Sequence, residues 1–92
     1  MRFLIKIEIP TESENPAAGK PDFENDLTRL YLALGAQSAY SDTDATGRRS
    51  DAIVVEIDDV RELKPKAKLI FDFLKVRPTF LPETANKDHF GF

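Results

Sequence analysis

The chain has 92 residues, which is enough for one domain. It is 41% hydrophobic and 32% charged, and Gly and Pro are neither abundant nor periodic, which excludes disordered, low-complexity and collagen-like chains. The absence of cysteine and the presence of a single histidine, His89, exclude disulfides, cysteine chemistry and a His-rich metal site within one chain. We therefore expect no metal and no cofactor.

The charge and hydropathy patterns limit the partners. The formal net charge is −3, and no basic stripe is evident in the sequence, so we expect no nucleic-acid binding. No apolar run approaches the length of a membrane span, and Lys6 and Glu8 interrupt the only N-terminal stretch that resembles a signal peptide. We expect a cytoplasmic protein with no membrane partner.

The first predicted elements are a strand and a helix joined by a long connection. Alternating apolar side chains predict a half-buried strand over residues 2–9. Residues 10–21 contain three prolines and no periodicity, and they form either a plain crossover loop or a lid over a cavity. A helix follows over 22–34, with Gly35 suited to its C-terminal cap. The predicted helical stripe comprises Phe23, Leu27, Leu30, Tyr31 and Leu34.

A hairpin is predicted next. Residues 36–42 form a weak strand at best, 43–49 read as a turn, and 51–57 form a strong strand. Arg48 and Arg49 in the turn could hold a phosphate, but the acidic residues on either side favour a solvated turn.

The last predicted elements are a helix and an edge strand. Asp59 and Glu62 fit a capping box, and Pro65 should either kink the helix or split off a short first turn. Residues 75–81 form the final strand, which Pro78 restricts to a sheet edge. The stripe of this helix comprises Val60, Leu63, Ala67, Ile70, Phe71 and Leu74.

These elements predict one α+β domain over residues 1–82, followed by a C-terminal tail over 83–92. The order βαββαβ predicts a ferredoxin-like fold, with a four-stranded antiparallel sheet in the order 4-1-3-2 and two helices on one face. The tail carries His89, Phe90 and Phe92, and whether it or the 10–21 loop covers a site stays open.

The opposite face of the predicted sheet has no helix to cover it, and it holds the candidate site. Lys6, Glu8, Glu56 and Arg77 fall on this face, with Lys6 and Arg77 the best candidates for binding an anion. Tyr40 could supply a phenol to the same site, although packing of its ring is the favoured interpretation. The face is either a solvated surface with cross-strand ion pairs, such as Lys6 with Glu56, or the interface of a homodimer that encloses a cavity.

The pattern of the whole chain resembles the dimeric α/β-barrel superfamily of the ferredoxin-like fold. The opening MRFLIKIEIPTE, the Pro/Gly loop and the segment DAIVVEIDD resemble small uncharacterised bacterial proteins of that superfamily. The resemblance covers residues 1–82. It implies a homodimer with ligand sites in or beside the cavity between two sheets, and it implies no particular reaction.

Two functions remain as predictions. The first is binding of a small organic ligand, for which an anion is one candidate, in a cavity at the homodimer interface. The second is a non-catalytic protein-interaction or regulatory module that docks a partner through the open face. No motif in the sequence assigns a reaction, so catalysis stays open.

Overall fold

A computed structural model of the chain describes residues 1–83. The strands and helices are β1 (Arg2–Glu8), α1 (Phe23–Ala33), β2 (Ala36–Thr43), β3 (Arg49–Glu56), α2 (Leu63–Leu74) and β4 (Thr79–Pro82). Short 3₁₀ turns lie at Pro16–Gly19 and Val60–Glu62. The predictions for His89, Phe90 and Phe92 fall outside the described residues.

The four strands form one antiparallel sheet in the order β2-β3-β1-β4, which reads β4-β1-β3-β2 from the other edge. The α+β class with a four-stranded antiparallel sheet and two helices is confirmed, and the arrangement is compatible with the ferredoxin-like fold. Across the central pair, Leu4 lies opposite Val54 and Ile5 opposite Ile53, so inward and outward positions alternate in step on both strands.

The core lies between one face of the sheet and the two helices. Its buried residues from the strands and their ends are Phe3, Ile5, Ile7, Ile9, Ile53, Val55 and Ile57, and those from the helical segments are Phe23, Leu27, Tyr31, Leu34, Ile70 and Leu74. The shortest principal dimension of the molecule is 18 Å, which matches one helix layer on one sheet. The opposite face of the sheet, which we call the open face, therefore has no covering layer in residues 1–83.

Two positions of the stripe predicted for the second helix were wrong. Val60 lies in the 3₁₀ turn before α2 and is 65% exposed. Phe71 was placed on the buried stripe, but it is 43% exposed. Phe73 packs against the core instead, with its ring centroid 6.0 Å from that of Phe23. Both aromatic residues lie near the end of the helix, and its buried side is centred on Ile70 and Leu74. Phe73 lies on that side of the helix, whereas Phe71 does not.

The structure also refines three of the predicted elements. β2 was expected to be weak, yet it pairs with β3 from Ala36 to Thr43, with an irregularity between Ala36 and Ser38. Of the two alternatives for Pro65, the split of a short first turn from the helix is confirmed, because the capped 3₁₀ turn at Val60–Glu62 precedes α2. β4 begins only at Thr79, because Lys75 ends α2 in the left-handed region with φ of 60° and the intervening residues are not paired.

At the C-terminal end of each helix, carbonyl groups accept hydrogen bonds from a side chain in the other half of the fold. The Asn15 Nδ2 group donates to the carbonyl oxygens of Phe73 and Leu74 at 3.3 and 3.1 Å, at the C-terminus of α2. The Lys66 Nζ group of α2 donates to the carbonyl oxygen of Leu34 at 2.7 Å, at the end of α1. These bonds satisfy carbonyl groups that a helix cannot pair internally. Neither helix of residues 1–83 is long and apolar enough to cross a membrane.

The left-handed conformation of Lys75 predicts that glycine substitutions at the end and in the middle of α2 change the free energy of unfolding in opposite directions. Replacing Lys75 by Gly should raise the free energy of unfolding by about 1 kcal/mol, because glycine adopts this conformation without the steric cost that a side chain carries. Replacing Lys68 by Gly, in the middle of the same helix, should lower it by about 1 kcal/mol. Urea unfolding of both variants measures the two effects, and equal signs would contradict the assigned end of α2.

Candidate functional site

A depression in the open face brings three of the five candidate residues together. It has a volume of about 620 Å³, and we call it the open-face cavity. Its lining residues come from β1, the start of β3, β4 and the connection that precedes β4: Lys6, Ile7, Glu8, Ser50, Val76, Arg77, Thr79 and Leu81. Two cations, one carboxylate, two hydroxyl groups and the aliphatic side chains of Val76 and Leu81 thus meet at one edge of the sheet, while the Ile7 side chain belongs to the core on the other face.

The cations of this cavity differ from the other arginines of the described residues. In residues 1–83, every arginine except Arg77 lies within 4.0 Å of a carboxylate. Those five are Arg2, Arg29, Arg48, Arg49 and Arg61. Lys6 and Arg77 have no carboxylate partner within residues 1–83, so both can accept an anion without first breaking an ion pair.

Glu8 is the acidic member of the cavity. Its carboxylate lies 3.8 Å from the Arg48 guanidinium, which also contacts Glu14 at 2.8 Å. Arg48 therefore offsets part of the negative charge at this end of the cavity. The contact also joins the 10–21 loop to the hairpin, and none of residues 10–21 lines the open-face cavity. Within the described residues, the loop is a crossover rather than a cover over this cavity.

Two candidate residues lie elsewhere. The register places Lys6 opposite Ala52 and Thr79, whereas Glu56 pairs with Arg2, about 13 Å further along the strand. The predicted Lys6–Glu56 ion pair is therefore wrong, and Glu56 accepts instead from the amino group of Met1 at 3.2 Å. Tyr40 lies across the sheet on β2 with 62% of its surface exposed, so its expected packing within one chain is also wrong.

Arg77 reaches the cavity by a route that differs from the predicted one. It was expected within the last strand, but it belongs to the connection before β4. Pro78 has no N–H group to give to a ladder and biases the preceding residue toward an extended conformation. Arg77 thus lies at the corner between the open face and the outer side of α2.

A buried polar network on the helix-covered side was missed by the sequence analysis. Asp51 is only 1% exposed, and its carboxylate accepts from the Tyr31 hydroxyl at 2.5 Å and from the Arg49 Nε group at 2.9 Å. Arg49 also binds Glu24 on α1, with its Nη1 group 2.6 Å from Glu24 Oε2. Tyr31 was expected to be plain core and Arg49 to lie in a solvated turn. The signal in the sequence was the alternation along β3, which places Asp51 on the same buried face as Ile53 and Val55. A charged side chain on that face requires hydrogen-bond partners.

The network has clear electrostatic consequences. Burial, together with the hydrogen bond to Asp51, raises the pKa of Tyr31 far above its ordinary value of about 10. The hydrogen bonds that the Arg49 guanidinium donates to Glu24 and Asp51 raise the pKa of Arg49. All donors and acceptors of this group are satisfied within the fold, since the described residues contain no buried side-chain polar atom without a partner. We interpret the network as a structural tie between β3 and α1 rather than as a reaction centre.

The sequence and the structure match no family model, no curated protein and no solved structure. The resemblance to the dimeric α/β-barrel superfamily therefore stays a prediction.

The raised pKa of Tyr31 predicts a loss of stability at alkaline pH. The phenol ionises near pH 10 in the unfolded chain but not in the folded one, so its contribution is complete below about pH 10 and is lost as the pH rises further. The free energy of unfolding should fall by up to about 1.4 kcal/mol per pH unit from this group. Comparing urea unfolding of the native chain and the Tyr31→Phe variant isolates it, since the variant should lack this part of the slope.

A spectroscopic measurement checks the same assignment. The chain has two tyrosines, so Tyr31 is the only one in a Tyr40→Phe variant. We expect its phenolate absorbance to rise only together with the loss of circular dichroism on unfolding. Phenolate absorbance that rises near pH 10 in a fully folded variant would contradict the buried hydrogen bond between Tyr31 and Asp51.

The buried carboxylate itself should be essential for stability. Asp51→Ala leaves the Tyr31 hydroxyl without its partner and removes one of the two carboxylates that bind Arg49, and we expect a loss of about 3 kcal/mol. Asp42→Ala removes an exposed carboxylate one strand away and should change the free energy of unfolding by less than about 0.5 kcal/mol. Similar losses for both variants would contradict the network as a tie.

Proposed function

We propose that the protein is a homodimer in which two open faces meet and hold a small organic anion beside Lys6 and Arg77. The observation that supports this proposal most directly is that Arg77 is the one arginine of residues 1–83 without a carboxylate partner. It shares a cavity with Lys6, which also lacks one. A pair of unneutralised cations in a partly recessed surface is suited to an anion.

The chemistry of the cavity favours a carboxylate with an apolar portion. The planar guanidinium of Arg77 can donate two parallel hydrogen bonds to a carboxylate, and Lys6 adds a point charge. Val76 and Leu81 offer an aliphatic wall, while Ser50 and Thr79 offer hydroxyl groups. A phosphate ester would also pair with the two cations. The aliphatic wall favours an organic anion with an apolar portion over a small inorganic anion.

The open face itself supports association of two copies. Leu81, Leu4 and Val54 lie side by side across β4, β1 and β3, so an apolar strip crosses the centre of this face, with Leu81 exposed, Leu4 half-buried and Val54 buried. Charged side chains flank the strip on both sides. A domain of this size buries a limited fraction of its surface, so covering the strip would add a useful share of its stability. It would also exclude water from the cavity and strengthen the attraction between the anion and its two cations.

Ligand binding has a direct test. Thermal unfolding should be measured against a set of small organic carboxylates, and we expect at least one to raise the melting temperature of the native chain. Lys6→Ala and Arg77→Ala should each lower the affinity for that compound by about tenfold, in line with loss of a charge-assisted hydrogen bond. The matched controls are Lys20→Ala and Arg29→Ala, which remove exposed cations outside the cavity and should leave the affinity unchanged. Equal losses in the controls would contradict the proposed site.

The dimer is tested separately by light scattering across a dilution series. We expect the native mass to be twice that of the chain, and Leu81→Glu to yield a monomer because it places a charge in the apolar strip. Leu69→Glu alters an exposed leucine on α2 and should leave the dimer intact. A native monomer would overturn the proposed interface and favour the interaction or regulatory module instead.

A further inference from the structure

The charge of the chain is distributed unevenly between residues 63–77, which comprise α2 and part of the connection after it, and the rest of the molecule. Residues 63–77 contain five bases and one acid, a net charge of +4, whereas the whole chain has a net charge of −3. The remainder of the chain therefore carries −7. No basic stripe is evident in the sequence, because the lysines of this segment are separated by apolar residues. Helical spacing brings several of them onto one side.

That side of α2 forms a groove with the connection to β4. The groove has a volume of about 490 Å³, and we call it the α2 groove; it is lined by Lys64, Ala67, Lys68, Phe71, Arg77 and Pro78. The helical positions 64, 67, 68, 71 and 75 follow the i, i+3, i+4, i+7, i+11 spacing of one helix face. The left-handed turn at Lys75 brings Arg77 and Pro78 back against this face.

The floor of the groove is apolar and its rim is cationic. Phe71 is 43% exposed although it is a large aromatic residue, and Ala67 and Pro78 flank it. The Lys75 Nζ group lies 5.9 Å from the centre of the Phe71 ring. Lys64 and Arg77 have no carboxylate partner in residues 1–83, while Lys68 is bound to the exposed Asp72 at 2.7 Å. An exposed ion pair of this kind is weak and exchanges partners at little cost.

We propose that the α2 groove binds an acidic peptide segment of a partner protein, with one aromatic or large aliphatic side chain seated on Phe71. Carboxylates on either side of that anchor would face Lys64, Lys68 and Arg77. Charge complementarity favours this partner, since α2 is the cationic side of an otherwise acidic molecule. The Phe71 ring provides one position for an anchor residue of the peptide. In such interfaces a few anchor residues supply most of the binding energy.

Two other anionic partners fit the groove less well. A flat lipid surface is contacted by apolar side chains that project from a protein, whereas Phe71 lies within a concave surface between cations. A nucleic-acid strand requires cations that follow a repeating backbone together with several stacking platforms, and this groove has one aromatic ring.

The test uses fluorescence anisotropy with defined probes and the full chain. The main probe is a short fluorescein-labelled peptide of Glu and Asp residues around one central Phe. The second is the same peptide with Ser in place of Phe. We expect the Phe peptide to bind at least about fivefold more tightly than the Ser peptide, and its affinity to fall as salt is raised. No salt-dependent binding, or equal affinity for the two peptides, would overturn the proposal.

Variants assign the binding to the groove. Lys64→Glu and Phe71→Ser should each weaken the Phe peptide by about fivefold or more. Lys20→Glu makes the same charge change outside the groove, and Leu32→Ser removes an apolar side chain that is 69% exposed on α1, so both should bind like the native chain. Neither Lys64 nor Phe71 lines the open-face cavity, so loss of peptide binding in these variants is separable from loss of the organic anion.

A labelled oligothymidine and vesicles containing phosphatidylserine complete the experiment. Binding of either one more tightly than the Phe peptide, with the same sensitivity to Lys64→Glu, would overturn the choice of partner. Circular dichroism and thermal unfolding of each variant establish that the fold is retained, and Lys64→Gln replaces Lys64→Glu if charge reversal perturbs it. With Lys64→Gln we expect a smaller loss in the same direction, and no loss would count against the groove.

Discussion

The four-stranded sheet has two faces, and both helices of the chain pack on the same one. This constraint determines the composition of each face. The buried inward positions of β1 and β3 that face α1 and α2 are apolar except for Asp51, whereas their outward positions mix aliphatic and charged side chains. An outward face of that composition is too polar for a second core within the chain.

The buried carboxylate of Asp51 shows how the covered face is closed at its end. Asp51 lies opposite Ile7 near the end of the apolar core, with Ile9 still buried beyond it, and here the sheet and α1 also meet through charges. A buried Asp is stable only if its oxygens are occupied, and Tyr31 from α1 and Arg49 from β3 occupy them. Arg49 then reaches Glu24, so one guanidinium joins the buried carboxylate to the helix surface. The network thus fixes the position of α1 on the sheet at its polar end.

Residue patterns in the sequence were sufficient for the architecture but not for the site. Period-two and helical spacing located every strand and helix of residues 1–83, and the Asp59–Glu62 capping box was identified correctly. The Lys6–Glu56 pair failed because strand register, which alternation does not specify, places Arg2 opposite Glu56. Arg77 lies at the open face, as predicted, but outside the last strand, because the left-handed end of α2 at Lys75 is not marked by a glycine in the sequence. The Asn15 and Lys66 caps join distant segments, so only the folded chain reveals them.

Arg77 connects the two proposed binding surfaces. It lines both the open-face cavity and the α2 groove, because the connection that carries it crosses the edge of the sheet beside β4. In the open-face cavity its nearest cationic neighbour is Lys6, and like charges oppose each other until an anion lies between them. In the α2 groove it shares the lining with Phe71, over whose ring the Lys75 Nζ group lies at 5.9 Å. An organic anion at Lys6 would therefore draw the guanidinium away from the groove, and an acidic peptide would do the reverse. If both ligands bind, their affinities must be coupled through this side chain, and by linkage each must weaken the other to the same degree.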